Sequence, residues 1–261
     1  MSTTRLLHAL LHSLFPAALA VNLAPLYAQF SASPPLGTTI TVCEVSPGLR
    51  GVLAAADIWR GQLLLRVPVA GCLITRRGPE DDVQLARMLL DAVDDPDDFG
   101  PAWKAYADHL PATTGAAMLW QADEIAELQV EEIVEQATSL RERVTTTGSR
   151  AYTSRSERAW DWAMSMVYSR SLVVEATDGS NFRALVPFLD MFNHKPESPV
   201  EYSARWSEGL VDDEQPPESP WRFTADAKHI DLHAEASVGR GEEVTIPCAP
   251  RAPDPRAALC T

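Results

Sequence analysis

The feature that most constrains this chain is a hydrophobic period that changes twice along its length. From Thr38 to Ile74 the sequence favours strands. Thr39-Ile40-Thr41-Val42 and Gln62-Leu63-Leu64-Leu65-Arg66-Val67-Pro68 are short β-favouring runs, bounded by Pro47-Gly48, Gly51 and Gly61. From Asp81 to Val174 the period is helical. Val83, Leu85, Ala86, Met88, Leu89, Leu90 and Val93 form one apolar stripe, closed by the acidic stop Asp94-Asp95-Pro96-Asp97-Asp98. Ala122 to Val144 predicts a second helix, with Ile125, Leu128, Ile133, Val134 and Leu140 on one face. Ser156 to Val174 predicts a third, with Trp160, Ala163, Met164, Val167 and Leu172 inside. A Met and Trp stripe of this kind is core.

From Ala184 onward short apolar runs and turns return. Strand-like pieces lie at Trp221 to Thr224, His229 to Leu232 and Glu243 to Ile246, after a polar, Pro-rich loop from Asp212 to Pro220. Strands, a helical block and strands again predict an α+β fold with a helical insertion. The divisions fall at 1–37, an N-terminal helix or a targeting segment; 38–80, the first β part; 81–160, the helical insertion; 161–248, the second β part; and 249–261, an irregular Pro-rich tail.

Composition excludes several classes. The 261 residues carry 22 Lys and Arg against 36 Asp and Glu, a net charge of −14. Nucleic acid is a poor partner for such a chain, because phosphate binding needs a basic face. A basic protein segment suits it better. No stretch reaches the ~18 uninterrupted apolar residues of a membrane span. The four cysteines, Cys43, Cys72, Cys248 and Cys260, are far apart and lack any CxxC pair, so no metal site is expected. They fit a reduced intracellular protein, cytoplasmic or nuclear, and a monomer is expected. An acid-free head, residues 1–43, leaves an organelle open: Leu6 to Leu14 is mostly apolar after Arg5, although His8, His12 and Pro16 interrupt it.

The stretch with most chemistry is Ala184-Leu185-Val186-Pro187-Phe188-Leu189-Asp190-Met191-Phe192-Asn193-His194. An apolar run ending in Asp, Asn and His places polar groups at the end of a buried element, where each must find a partner in the protein or in a ligand. From the residues alone, a turn capped by Asp190 and Asn193 and a binding site are both consistent.

This stretch resembles the Asn-His motif of SET-domain methyltransferases, in the split-SET branch that includes the RuBisCO large-subunit lysine methyltransferase and the actin-histidine methyltransferase. Three further segments agree in order. Gly48-Leu49-Arg50-Gly51-Val52, then Ala56-Asp57-Ile58 and Gly61 to Pro68, is similar to that branch's opening turn and strands. Trp162 to Arg170 resembles its helix ending in Ser/Thr-Arg, and Gly239-Arg240-Gly241-Glu242-Glu243-Val244-Thr245-Ile246 resembles the strand before its catalytic tyrosine. The match runs from about residue 40 to 248.

The resemblance implies a SET β-fold and S-adenosyl-L-methionine as methyl donor, with a protein lysine, or a histidine, as acceptor. The donor's amino-acid end is zwitterionic. Gly48, Arg50 and Gly51 would offer backbone groups to it, since glycine permits close approach. Arg170 would hold its carboxylate, unless it pairs with a neighbouring acid instead. Asn193 and His194 would hold the amino group and adenine, with Asp190 orienting their turn. Methyl transfer needs in-line alignment above all, which can supply ~7–11 kcal/mol.

Two departures stand out. Cys248 occupies the place of the catalytic tyrosine, and Pro247 to Thr261 does not resemble the closing segment that follows it, so that segment is expected to be incomplete and the end of the reading frame altered. An inactive module that binds cofactor or a protein partner is therefore the alternative. Leu49 stands where the family has the first glycine of its turn, which predicts a displaced turn if that position needs a positive φ.

Overall fold

The computed structural model describes residues 23–30, 32–94, 101–151, 156–176, 181–195, 202–205, 222–223, 229–234 and 236–246. Cys248, residues 1–22 and the tail 249–261 lie outside them.

The first helix, α1 (Ala24–Gln29), buries Leu26 and Tyr27. Strands β1 (Ile40–Ser46) and β2 (Leu49–Ala54) form an antiparallel hairpin whose register runs from Ile40 opposite Ala54 to Ser46 opposite Leu49. Pro47 and Gly48 make the connection, and Gly48 has φ +77°, the pattern of a type II turn with Pro second and Gly third. Leu49 therefore keeps an extended backbone inside β2, and the left-handed position falls on its neighbour.

Strands β3 (Leu63–Pro68) and β4 (Leu73–Arg76) lead into the helical insertion. It comprises α2 (Asp81–Asp94), α3 (Pro101–Ala107), α4 (Ala122–Ala126) and α5 (Glu131–Ala151). Next comes α6 (Glu157–Arg170), packed on α2, and then β5 (Leu172–Ala176) and β6 (Asn181–Leu185). Three more strands follow: β7 (Tyr202–Arg205), β8 (Arg222–Phe223) and β9 (His229–Ala234). The second sheet has the order β3-β9-β7 and the third β4-β6-β5-β8, with β8 parallel to β5 and the other pairs antiparallel. Chain order and spatial order differ: β3 and β4, which precede the helices, pair with β9 and β6, which follow them. The result is an α+β fold.

Three elements differ from the periodicity. The helix expected over Ala122–Val144 is two helices, because Gln129 turns the chain at φ +56° between them. The break lets Ile125 bury against α5, while Val130 and Ile133 stay exposed. Glu131 and Glu132 then begin a fresh helix, where acidic residues favour the N-terminus. The helix expected to reach Val174 stops at Arg170. Ser171 is extended, and Leu172 pairs with Ala184 in the sheet, as β-branched Val173 and Val174 favour. Glu243 to Ile246 forms isolated bridges instead of a regular strand.

The core joins the three sheets to the insertion. Leu64, Val67, Leu85, Leu89, Trp160, Met164 and Met166 are all buried, so the Met and Trp stripe of α6 is packing. Each such side chain contributes roughly 1.5–3 kcal/mol by leaving water.

Candidate functional site

The site forms where three distant segments meet. In the first, β2, Arg50 is tied to the insertion by Nη2 donating to His109 O at 2.6 Å. Val52 and Ala54, at the far end of the strand, are buried. The second segment, Glu242–Ile246, lies along it: Ala54 N–H donates to Glu242 O at 2.9 Å and Val244 N–H to Val52 O at 2.7 Å. The third is Asn193–Lys195. Ile246 N–H donates to Asn193 O at 2.9 Å, and Lys195 N–H to Ile246 O at 3.2 Å.

These ladders bring Asn193, Gly51 and Glu243 together. Asn193 Nδ2 donates to Arg50 O at 3.0 Å and to Glu243 Oε1 at 2.7 Å. Gly51 leaves room for this contact: a Cβ there would stand 2.7 Å from Glu243 Oε1, 2.8 Å from Asn193 Nδ2 and 2.9 Å from Val45 Cγ1, so these side chains would have to shift. The exposed Glu243 carboxylate and burial together push the Cys43 thiol up, burial being the larger cause, so Cys43 stays protonated and inert here.

Next to Asn193 is a short 3-10 turn, Leu189–Met191, entered through Phe188 at φ +69°. A buried non-glycine residue in that region costs about 1–3 kcal/mol and persists only where its surroundings hold it. Tyr106 supplies part of the hold. Its hydroxyl accepts from Phe188 N–H at 2.8 Å and donates to Asp190 Oδ1. Burial first, then the charge of Asp190, raises this hydroxyl far above its ordinary range, so it remains a neutral donor.

Arg170 ends α6 and meets the same turn, with Nη1 donating to Asp190 O at 2.7 Å and to Asp190 Oδ2 at 3.0 Å. Its Nε is buried and has no hydrogen-bond partner among the described residues. The predicted residues thus fall into linked groups. Arg50, Gly51 and Asn193 are in contact, and Arg170 and Asp190 form an ion pair on the neighbouring turn. His194 is exposed and joins through a backbone bridge to Ile246. Gly48 sits at the hairpin tip, its N–H donating to Glu44 Oε1 at 2.6 Å. Two residues of the cluster, Glu243 and Tyr106, are not among the candidates read from sequence. Glu243 belongs to a stretch read as a strand and as part of the family resemblance, with no role of its own, and Tyr106 to a helix too short to show a period.

Among the described residues no group of three or more His, Cys, Asp or Glu could hold a metal ion, and no helix is long and apolar enough to cross a membrane. No family model and no curated protein matches the sequence. Solved structures do. The SET domain of LSMT bound to lysine and AdoHcy superposes with a TM-score of 0.65 at 19% identity, over 90% of this chain and 54% of that one. Rubisco LSMT bound to AdoMet gives a TM-score of 0.60 at 20% identity, over 95% and 56%. Rubisco LSMT bound to sinefungin and monomethyllysine gives 0.59 at 19%. The chain spans just over half the length of these structures. Identity this low carries the fold alone: the α+β arrangement described above is that of the SET-domain structures on which the chain superposes.

Proposed function

We propose that this SET domain binds S-adenosyl-L-methionine and transfers its methyl group to a lysine side chain of a protein. The observation that carries the reading is the Gly51 cradle. A Cβ there would press on Asn193 and Glu243, and the cradle adjoins a turn met by an arginine whose Nε has no partner among the described residues. A zwitterionic amino-acid group matches that donor set: Asn193, Glu243 and backbone carbonyls of β2 for an ammonium, Arg170 for a carboxylate. The cofactor supplies an electrophilic methyl on a sulfonium. The chain's part is to bind, orient and exclude water, which is where most acceleration of such a transfer lies. Asp190 holds Arg170 in register, and the β2 hairpin, tied to the insertion through Arg50, keeps the carbonyls of the turn fixed.

Lysine is favoured over histidine as acceptor by the neighbours, which are described with lysine and monomethyllysine bound. The net charge of −14 favours a basic segment around the target residue. KM for such a substrate should rise with salt.

A second reading, a SET module that binds cofactor without turnover, is favoured by Cys248 in the place of the expected tyrosine. Losing one preorganised donor costs ~2.7–4 kcal/mol, or roughly 10² to 10³ in rate. Calorimetric titration of the chain with S-adenosyl-L-methionine, with Asn193→Ala as control, tests the shared part. Binding that Asn193→Ala abolishes supports the site; no binding by the folded wild-type chain at millimolar cofactor overturns it. Cys248→Tyr separates the two readings. A gain of lysine methylation at unchanged affinity assigns the deficit to the hydroxyl. No gain assigns it to the segment that follows.

A further inference from the structure

The turn between β6 and Asn193 is braced from the helical insertion. Tyr106 lies in α3 of the insertion and is 1% exposed. Its ring stacks edge-on with Phe188 at 5.2 Å, Trp103 at 5.6 Å and Phe30 at 5.8 Å between centroids. Phenylalanine would serve that packing as well. The hydroxyl does something packing does not require: it takes the Phe188 N–H and gives its own proton to Asp190 Oδ1. The opposite carboxylate oxygen, Asp190 Oδ2, accepts from Arg170 Nη1 at 3.0 Å. Tyr106 thus fixes the plane of the Asp190 carboxylate, and the plane of the carboxylate fixes where a planar guanidinium can lie.

We propose that Tyr106 is a positioning residue of the cofactor site, acting through Asp190 to hold the Arg170 guanidinium for the carboxylate of the cofactor's amino-acid end. The inference rests on the function proposed above and extends it into the insertion: the helical block aims the Arg170 cation that meets the Asp190 turn as well as covering the core.

The test compares two ligands in the full chain. S-adenosylhomocysteine carries the amino-acid end; 5′-methylthioadenosine lacks it. Tyr106→Phe should weaken S-adenosylhomocysteine about tenfold, the scale of one lost hydrogen bond. It should leave methylthioadenosine within twofold. Arg170→Lys in the Tyr106→Phe background should then add much less than it does alone, because both act on one contact. Equal affinities of wild type and Tyr106→Phe for S-adenosylhomocysteine, or equal losses for both ligands, would overturn the positioning role while leaving the proposed function intact. Failure of the wild-type chain to bind either ligand would overturn the function, and the positioning role with it. Should Tyr106→Phe not fold, Asp190→Asn takes its place: it keeps the turn's volume and removes the charge between Tyr106 and Arg170. The same ligand-selective loss is expected, and its absence would sink the proposal.

Discussion

A Cβ on Gly51 would press on Glu243 Oε1, Asn193 Nδ2 and Val45 Cγ1 at once, all within 2.9 Å. Two of these are polar atoms bonded to each other, so relief for one strains the other. Gly51→Ala is expected to destabilise the domain by about 1–3 kcal/mol through overpacking. It should also weaken S-adenosyl-L-methionine at least tenfold by parting Asn193 from Arg50 O. Thermal melting and calorimetry read the two effects; wild-type affinity in a folded variant would remove the cradle from the cofactor site. Gly48 is the opposite case. Nothing lies within 4 Å of a Cβ there, but its φ is +77°. Gly48→Ala should cost only the backbone strain of that conformation, about 1 kcal/mol, seen as a lower denaturant midpoint with unchanged slope. One hairpin therefore separates steric from conformational need for glycine.

At the N-terminus of α2 two adjacent buried carboxylates organise the insertion. Asp82 accepts from Arg143 of α5 in a bidentate pair, Nε at 2.9 Å and Nη2 at 2.7 Å, and from the Tyr168 hydroxyl of α6 at 2.6 Å. Asp81 accepts from Arg77 at 2.5 Å and from Arg183 at 3.2 Å. Asp82→Asn leaves Arg143 without its counter-charge. Arg143 is 37% exposed, so water takes up part of the loss and the expected cost is about 2 kcal/mol, below the range for a fully buried pair. Equilibrium urea unfolding measures it. None of this network was legible in the sequence, where Asp81-Asp82 reads only as a helix start. The apolar stripe of α2 was legible, because one helix buries one face. The break at Gln129 was not, because no glycine or proline marks it and its cause is tertiary. The end of α6 was missed by the periodicity, which runs on to Val174, although the family pattern places a helix end at Arg170; the strand that follows is selected by pairing with β6 and β8. The Asn193 motif and the stretch that holds Glu243 were legible as family patterns; the contacts of Glu243 and Tyr106 were not, since each gains its meaning from a partner at least 50 residues away.

Across the whole molecule, charge and burial set opposing pH trends. The net charge of −14 means that carboxylates repel one another at neutral pH, and their partial protonation on acidification relieves that strain. Asp82 and Asp231 behave differently. Burial alone would raise both, yet Arg143 and Tyr168 outweigh it for Asp82, and Arg66 and His233 for Asp231, so both lie below the ordinary 3.8. Asp231 is 1% exposed and links β9 to β3 through Arg66 at 2.5 Å, while Asp82 links three helices. A carboxyl depressed on folding contributes stability that is fully present above its unfolded value and lost as pH falls through its folded value. Stability should therefore hold or rise slightly from pH 7 towards 5, then fall as pH drops below 3.8, with the sheet and the helical block losing their cross-ties together. Unfolding free energy measured by denaturant from pH 7 to pH 2.5 checks this. In Asp82→Asn/Asp231→Asn the curve should start lower and its acid limb should flatten. A variant that keeps the full acid limb would show that other carboxylates carry it, and that these two ties stabilise the fold without governing its response to acid.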